Sequence, residues 1–213
     1  MEKFLTVEGL GKVNQAPDCI QMEFHLLTTH EKYDKAVAHS REEYSRLEKA
    51  MTGAGLAPEE LKTSNLQVET WYEQENDGRM YRQVFKGYRI SSRLFVEIPL
   101  DLILLAKIIE NITREGSSPE FSLVFALKNP ELLLEEALKN AVLDAKKKAQ
   151  ILTETAGVSL GEILSMTSLP QEGIFPPSRV EMPMLQAKAS LDMAMNPRDV
   201  ETTARVNISF ALT

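Results

Sequence analysis

The sequence predicts an α+β fold, a mostly antiparallel sheet with helices packed on one face, in the order ββαββαβαββ. Three observations carry this. Residues 130–156 form a long, well-delimited helical pattern with apolar residues at three- and four-residue steps. Several stretches alternate apolar and polar residues with the period of two that buries one side of a strand. Two long strands, 65–73 and 80–98, are separated by a short polar loop, which makes a hairpin. The glycine fingerprint of a doubly wound parallel sheet is missing from the sequence.

The long helix has clear ends. Asn129 suits the N-cap, where its side-chain oxygen can accept from a free backbone N–H. Pro130 suits the first helical position, whose N–H is unpaired anyway. Glu131, Glu135 and Glu136 place negative charge near the positive end of the dipole, and Gly157 is a natural stop. Leu134, Leu138, Ala141, Ala145, Ala149, Leu152 and Ala156 make the expected buried face. Its small residues permit close approach to a flat surface, most simply a sheet.

The other elements follow in order. Residues 4–13 read as a strand in which Gly9 and Gly11 mark a bulge or a tightly packed neighbour. After the turn at Ala16-Pro17-Asp18, a second strand, 19–28, alternates with Ile20, Met22, Phe24 and Leu26 on its buried face. A helix opens at Thr29 or His30 and runs to about Gly53, with Tyr33, Ala36, Val37, Tyr44, Leu47 and Met51 as its stripe. In the second strand of the hairpin, Gly87 suggests another bulge. A helix at 100–114 and a strand at 119–127, with Phe121, Leu123 and Phe125 on one face, precede the long helix. A strand at 162–169 and a last one at 200–212 complete the chain. Between them, residues 170–197 hold five prolines and four methionines without a clear period, too long for an ordinary connector. The whole reads as one domain over 1–213, and a division into two intertwined sub-domains, about 1–98 and 99–213, stays open.

The net charge of −7 over 213 residues argues against a nucleic-acid binder, which would show a basic face. One cysteine, Cys19, rules out an intrachain disulfide and a cysteine-rich zinc site. No apolar run approaches the roughly 20 residues of a membrane helix, so no membrane insertion is expected. The N-terminus alternates like a strand and lacks a secretory leader. On that ground the chain reads as cytoplasmic; it would be periplasmic or secreted if a leader had been removed.

No constellation leads to a reaction. His25, His30 and His39 show no metal-binding spacing. Cys19 and His25 lie six residues apart on one strand, about 20 Å, too far to act together. Adjacent glutamates such as Glu42-Glu43 diverge on a helix and are not acid–base pairs. No catalytic, cofactor or metal residues are therefore expected. The candidate ligand or interface residues are the aromatics Trp71, Tyr72, Tyr81 and Tyr88, which cluster with Phe85 if the hairpin pairs, and Met182 and Met184 of the proline-rich segment.

Four stretches carry a resemblance to a known family. They are residues 7–13 with 16–18, residues 62–68 with Trp71-Tyr72, residues 87–90, and residues 137–161 with Asp144-Ala145 and Lys148-Ala149. In this order the chain resembles the SIMPL-domain family, of unknown function, whose bacterial members include periplasmic immunogenic and oxidative-stress-related proteins. The resemblance implies an α+β fold and ring-like homo-oligomers, and it supplies no catalytic residues. The expected role is a non-enzymatic, self-assembling protein, envelope- or stress-related, whose partner is itself and which needs no cofactor. A small-ligand-binding protein using the aromatic hairpin is the alternative, and an uncharacterised hydrolase the second.

Overall fold

A computed structural model of the chain describes residues 3–76, 81–169, 180–182 and 196–213. In order, the elements are β1 (Phe4–Gln15), β2 (Cys19–His30), α1 (Tyr33–Ala54), a 3-10 turn (Pro58–Glu60), β3 (Lys62–Asn76) and β4 (Tyr81–Pro99). There follow α2 (Leu102–Arg114), β5 (Glu120–Ala126), α3 (Pro130–Ala156), β6 (Leu160–Ser168), β7 (Val180–Met182) and β8 (Val200–Leu212). The expected α+β class holds, with its strands shared between two sheets of order β1-β8-β6 and β3-β4-β2-β5-β7. The chain forms two compact units. One contains Met1–Asp18, Ala126–Pro177 and Pro197–Thr213; the other contains Cys19–Phe125 and Ser178–Asn196.

In the first unit α3 lies on β1 and β8. Its buried residues are Leu133, Ala137, Ala141, Ala145, Ala149 and Thr153, a ladder of strict four-residue steps. The expected face, by contrast, mixed three- and four-residue steps and ran on to Leu152 and Ala156, both of which are exposed. A four-residue row is inclined to the helix axis, so a helix packed along it turns a different flank to the sheet at each end. The small residues matter as anticipated, and their counterpart is in β1. A β-carbon on Gly9 would lie 2.7 Å from the Ala145 β-carbon, and one on Gly11 would lie 2.6 Å from the Ala141 nitrogen, with helix carbonyl oxygens closer still. The β1–β8 ladder runs from Phe4↔Ala211 to Gln15↔Val200 without a shift, so these glycines mark close approach and not a bulge. The caps are half as expected. Gly157 ends α3 at φ 69°, whereas Asn129 occupies the N-cap position without a side-chain bond.

Two side chains of α3 fasten it to the free edge of β1. Asp144 Oδ2 accepts from Leu10 N at 2.8 Å, and Lys148 Nζ donates to Glu8 O at 3.1 Å while pairing with Asp144 at 2.7 Å. The backbone groups they occupy would otherwise be an open strand edge. The bond from Leu10, reinforced by Lys148, holds the Asp144 carboxyl below the ordinary aspartate range. A carboxylate with a lowered folded-state pKa contributes stability that is complete above the unfolded value, about 4, and is lost as pH falls through the folded one. Asp144→Asn is therefore expected to cost about 1 kcal/mol at pH 7. The gap to wild type should narrow as pH drops below about 4, read by urea unfolding at several pH values. A gap that stays constant down to acid pH would contradict this role.

The core of the second unit joins Ile20, Met22, Phe24 and Leu26 of β2 to Leu94, Val96 and Ile98 of β4 and to Phe121, Leu123 and Phe125 of β5. Leu47 and Met51 of α1 and Leu105, Ile108 and Ile112 of α2 cover them. Strand faces fall where the period of two placed them. Boundaries moved where tertiary pairing outweighed local signals. Pairs Thr28↔Ile90, Thr29↔Arg89 and His30↔Tyr88 carry β2 on to His30, so α1 starts at Tyr33 and not at Thr29 or His30. Helix α2 starts after Asp101, whose side chain accepts from Ile103 N at 2.9 Å and Leu104 N at 3.1 Å, a conventional N-cap. Within the proline- and methionine-rich stretch, β7 pairs with β5 as Phe121↔Met182 and Leu123↔Val180.

Candidate functional site

The β3–β4 hairpin carries four of the six expected site residues and brings two of them, Tyr72 and Tyr88, into one run of ring contacts. Its register shifts twice, once between Thr63 and Asn65 and once at the aromatics, where Trp71 faces Gly87 and Tyr72 faces Phe85, leaving Lys86 unmatched. The second shift is the bulge expected at Gly87, whose φ of 135° suits only glycine and whose absent side chain leaves room for the backbone of His30 and Glu31. The bulge has a consequence for the side chains. An extra residue between Phe85 and Tyr88 puts these two, three positions apart, on the same face. Rings then meet edge to face in a chain: Tyr72 to Phe85 at 5.6 Å, Phe85 to Tyr88 at 5.6 Å, and Tyr88 to Tyr33 of α1 at 5.4 Å.

Trp71 takes the opposite face. There the Arg89 guanidinium lies 5.3 Å from its ring centroid and 3.6 Å from Glu69. Tyr81, which faces Asn76 at the loop end of the hairpin, falls by register on the Phe85 side and is largely exposed. Lys86 bonds Glu75 and approaches Glu73 at 3.9 Å; the Glu75 bond raises its ammonium pKa. Met182 lies in β7 beside Phe121, away from the hairpin in strand order, and Met184 lies outside the described residues.

Three residues of this surface were not among the candidate site residues read from the sequence, and Tyr33, expected in the buried stripe of α1, is 53% exposed. Tyr33 belongs to it through α1, and Leu66 and Val68 extend the Tyr72 face along β3, opposite Ser92 and Ile90. Leu66, Val68, Tyr72 and Phe85 are 63%, 46%, 51% and 47% exposed. Sequence alternation of Leu66, Val68 and Tyr72 was the available signal, but it normally marks a buried face.

One further cluster has the order nucleophile, imidazole, carboxylate. Ser91 Oγ and His25 Nε2 are 2.9 Å apart, and His25 Nδ1 is 3.5 Å from Glu120 Oε2. These residues lie on the sheet face turned from the helices, and the Glu120 side chain is 90% exposed. Acyl transfer depends on donors preorganised around a developing oxyanion; a half-open sheet face with a solvated carboxylate describes a surface hydrogen-bond chain. Among the described residues no group of three or more His, Cys, Asp or Glu side chains could hold a metal ion, and no helix is long and apolar enough to cross a membrane.

Comparison with known proteins adds the following. Residues 5–210 match SIMPL, described as a protein of unknown function (DUF541). The chain is 26% identical over 181 residues to the 26 kDa periplasmic immunogenic protein of Brucella melitensis, covering 84% of this chain and 69% of the relative. The protein of the same description from Brucella abortus matches equally. The uncharacterized protein YggE of Edwardsiella ictaluri is 23% identical over 164 residues, covering 76% of this chain and 66% of the relative.

Proposed function

The chain belongs to the SIMPL family of proteins of unknown function, and from that premise we propose that it is a non-enzymatic protein that associates with copies of itself through the β3–β4 hairpin. The observation that carries this is the exposed stripe Leu66, Val68 and Tyr72 on the edge strand β3, with exposed Phe85 beside it on β4. Contiguous apolar surface on a long open edge is a template for another chain. A second copy suits it. Two β3 strands paired about a two-fold axis at Val68 set Val68 against Val68 and Leu66 against Thr70, and Glu69 meets Gln67. No glutamate then opposes another, whereas pairing about Glu69 would set two carboxylates face to face. This contact is isologous and alone gives a dimer; a ring needs a second, different contact. The Brucella relatives are named as periplasmic, which supports an envelope location for this chain as well.

The test is absolute molar mass by light scattering after size exclusion. A mass at least twice 23.9 kDa is expected. Val68→Lys, which sets two ammonium groups across the two-fold, should return the monomer with unchanged far-UV circular dichroism. A wild-type monomer at micromolar concentration would end this reading. The ring chain Tyr72–Phe85–Tyr88–Tyr33 favours a second one, a platform for a flat apolar ligand. It predicts quenching of tyrosine emission by such ligands in a protein that stays monomeric.

A further inference from the structure

Two β3 strands that pair about Val68 bring like charges together. The strand holds three acidic residues, Glu69, Glu73 and Glu75. Lys86 pairs with the two nearer the loop. Glu69 lies closest to the two-fold. Gln67 of the second copy stands opposite it, so the Glu69 of that copy becomes its diagonal neighbour on the same face, roughly 7–8 Å away. Two bare carboxylates at that spacing repel each other as the edges approach.

Arg89 supplies the counter-charge. It faces Glu69 from β4, on the side away from the free edge, with Nη1 3.6 Å from the carboxylate. The guanidinium is seated and does not swing in solvent. Its Cζ lies 5.3 Å from the Trp71 ring centroid, and its Nε is shut off from water. A planar guanidinium laid on an aromatic face is held in one orientation, which a lysine on a flexible stem is not. The positive charge is therefore in place beside Glu69 before a second copy arrives, and it leaves the backbone groups of the edge free to pair. On the premise that β3 pairs with β3, we infer that Arg89, held by Trp71, is a positioning residue for self-association, which neutralises Glu69 so that two copies of the edge can meet.

The measurement is the dissociation constant of the full chain's self-association, from molar mass over a dilution series by light scattering, with Val68→Lys as the monomer reference. Arg89→Met keeps an unbranched stem and removes the charge. It should weaken association by about fivefold at low salt, with far-UV circular dichroism unchanged. Sodium chloride at about 0.5 M screens carboxylates at this spacing and should return most of the loss. Glu69→Gln added to Arg89→Met removes the repulsion itself and should restore the wild-type constant. A loss of packing alone would respond to neither. If the wild type associates and Arg89→Met leaves its constant within about twofold, Arg89 has no such role, while pairing through the hairpin stands. The same holds if neither salt nor Glu69→Gln repairs the loss. A wild-type monomer would end the hairpin reading itself, and the role of Arg89 with it.

Discussion

Gly11→Val is expected to destabilise the first unit by about 3 kcal/mol or more, a large share of the 5–15 kcal/mol that holds a typical domain together. Even the first side-chain carbon would fall within the backbone of α3, against the Ala137 carbonyl and 2.6 Å from the Ala141 nitrogen. Backbone cannot swing aside as a flexible side chain can. The helix must lift from β1, and in lifting it loses the burial of Ala137, Ala141 and Ala145 and the bonds of Asp144 and Lys148 to the strand edge. Asn14→Ala, an exposed position on the same strand, should change stability by no more than about 0.5 kcal/mol. Urea unfolding followed by far-UV circular dichroism measures both. A Gly11→Val loss below about 1 kcal/mol would mean that helix and strand are not in the contact described.

Phe24→Ala should cost the second unit about 3–5 kcal/mol. Phe24 is fully buried at the centre of β2, with its ring 6.0 Å from that of Phe121 and with residues of β4, α1 and α2 in the same cluster. Truncation leaves a cavity bounded by elements on both sides of the ring, and partial collapse sets where in that range the cost falls. Phe24→Leu refills most of the volume and should cost less than about 1.5 kcal/mol. The chain has one tryptophan, Trp71, and it lies in this unit, so its fluorescence reports the transition. Equal losses for alanine and leucine would show that cavity formation is not the cause.

Three of the four stretches that carried the family resemblance hold much of the architecture. Gly9 and Gly11 admit α3. Asp18 Oδ1 accepts from Lys128 N at 2.8 Å, and Asp18 N donates to Ala126 O at 3.0 Å, joining the β1–β2 turn to the segment entering α3. Gly87 makes the bulge that aligns Phe85 with Tyr88. Asp144 and Lys148 close the edge of β1. Each has a physical task in folding, which fits a sequence that points clearly to a fold and gives no reaction.

Alternation of Ile20, Met22, Phe24 and Leu26, the bulge at Gly87, and the start and stop of α3 were legible because each is a local consequence of side-chain period or backbone sterics. The partnership of Gly9 and Gly11 with a helix more than 120 residues later was legible only as a choice between bulge and close approach; the unshifted β1–β8 register decided it. The middle of the α3 face, Ala141, Ala145 and Ala149, was legible; its C-terminal end was not, since a row of four-residue steps wins over a mixed stripe only when the crossing angle with the sheet is known. The same holds for the stripe Leu66, Val68 and Tyr72. Period two in a sequence identifies a common face, but whether that face is covered depends on where α1 ends up, and α1 reaches it only at Tyr33.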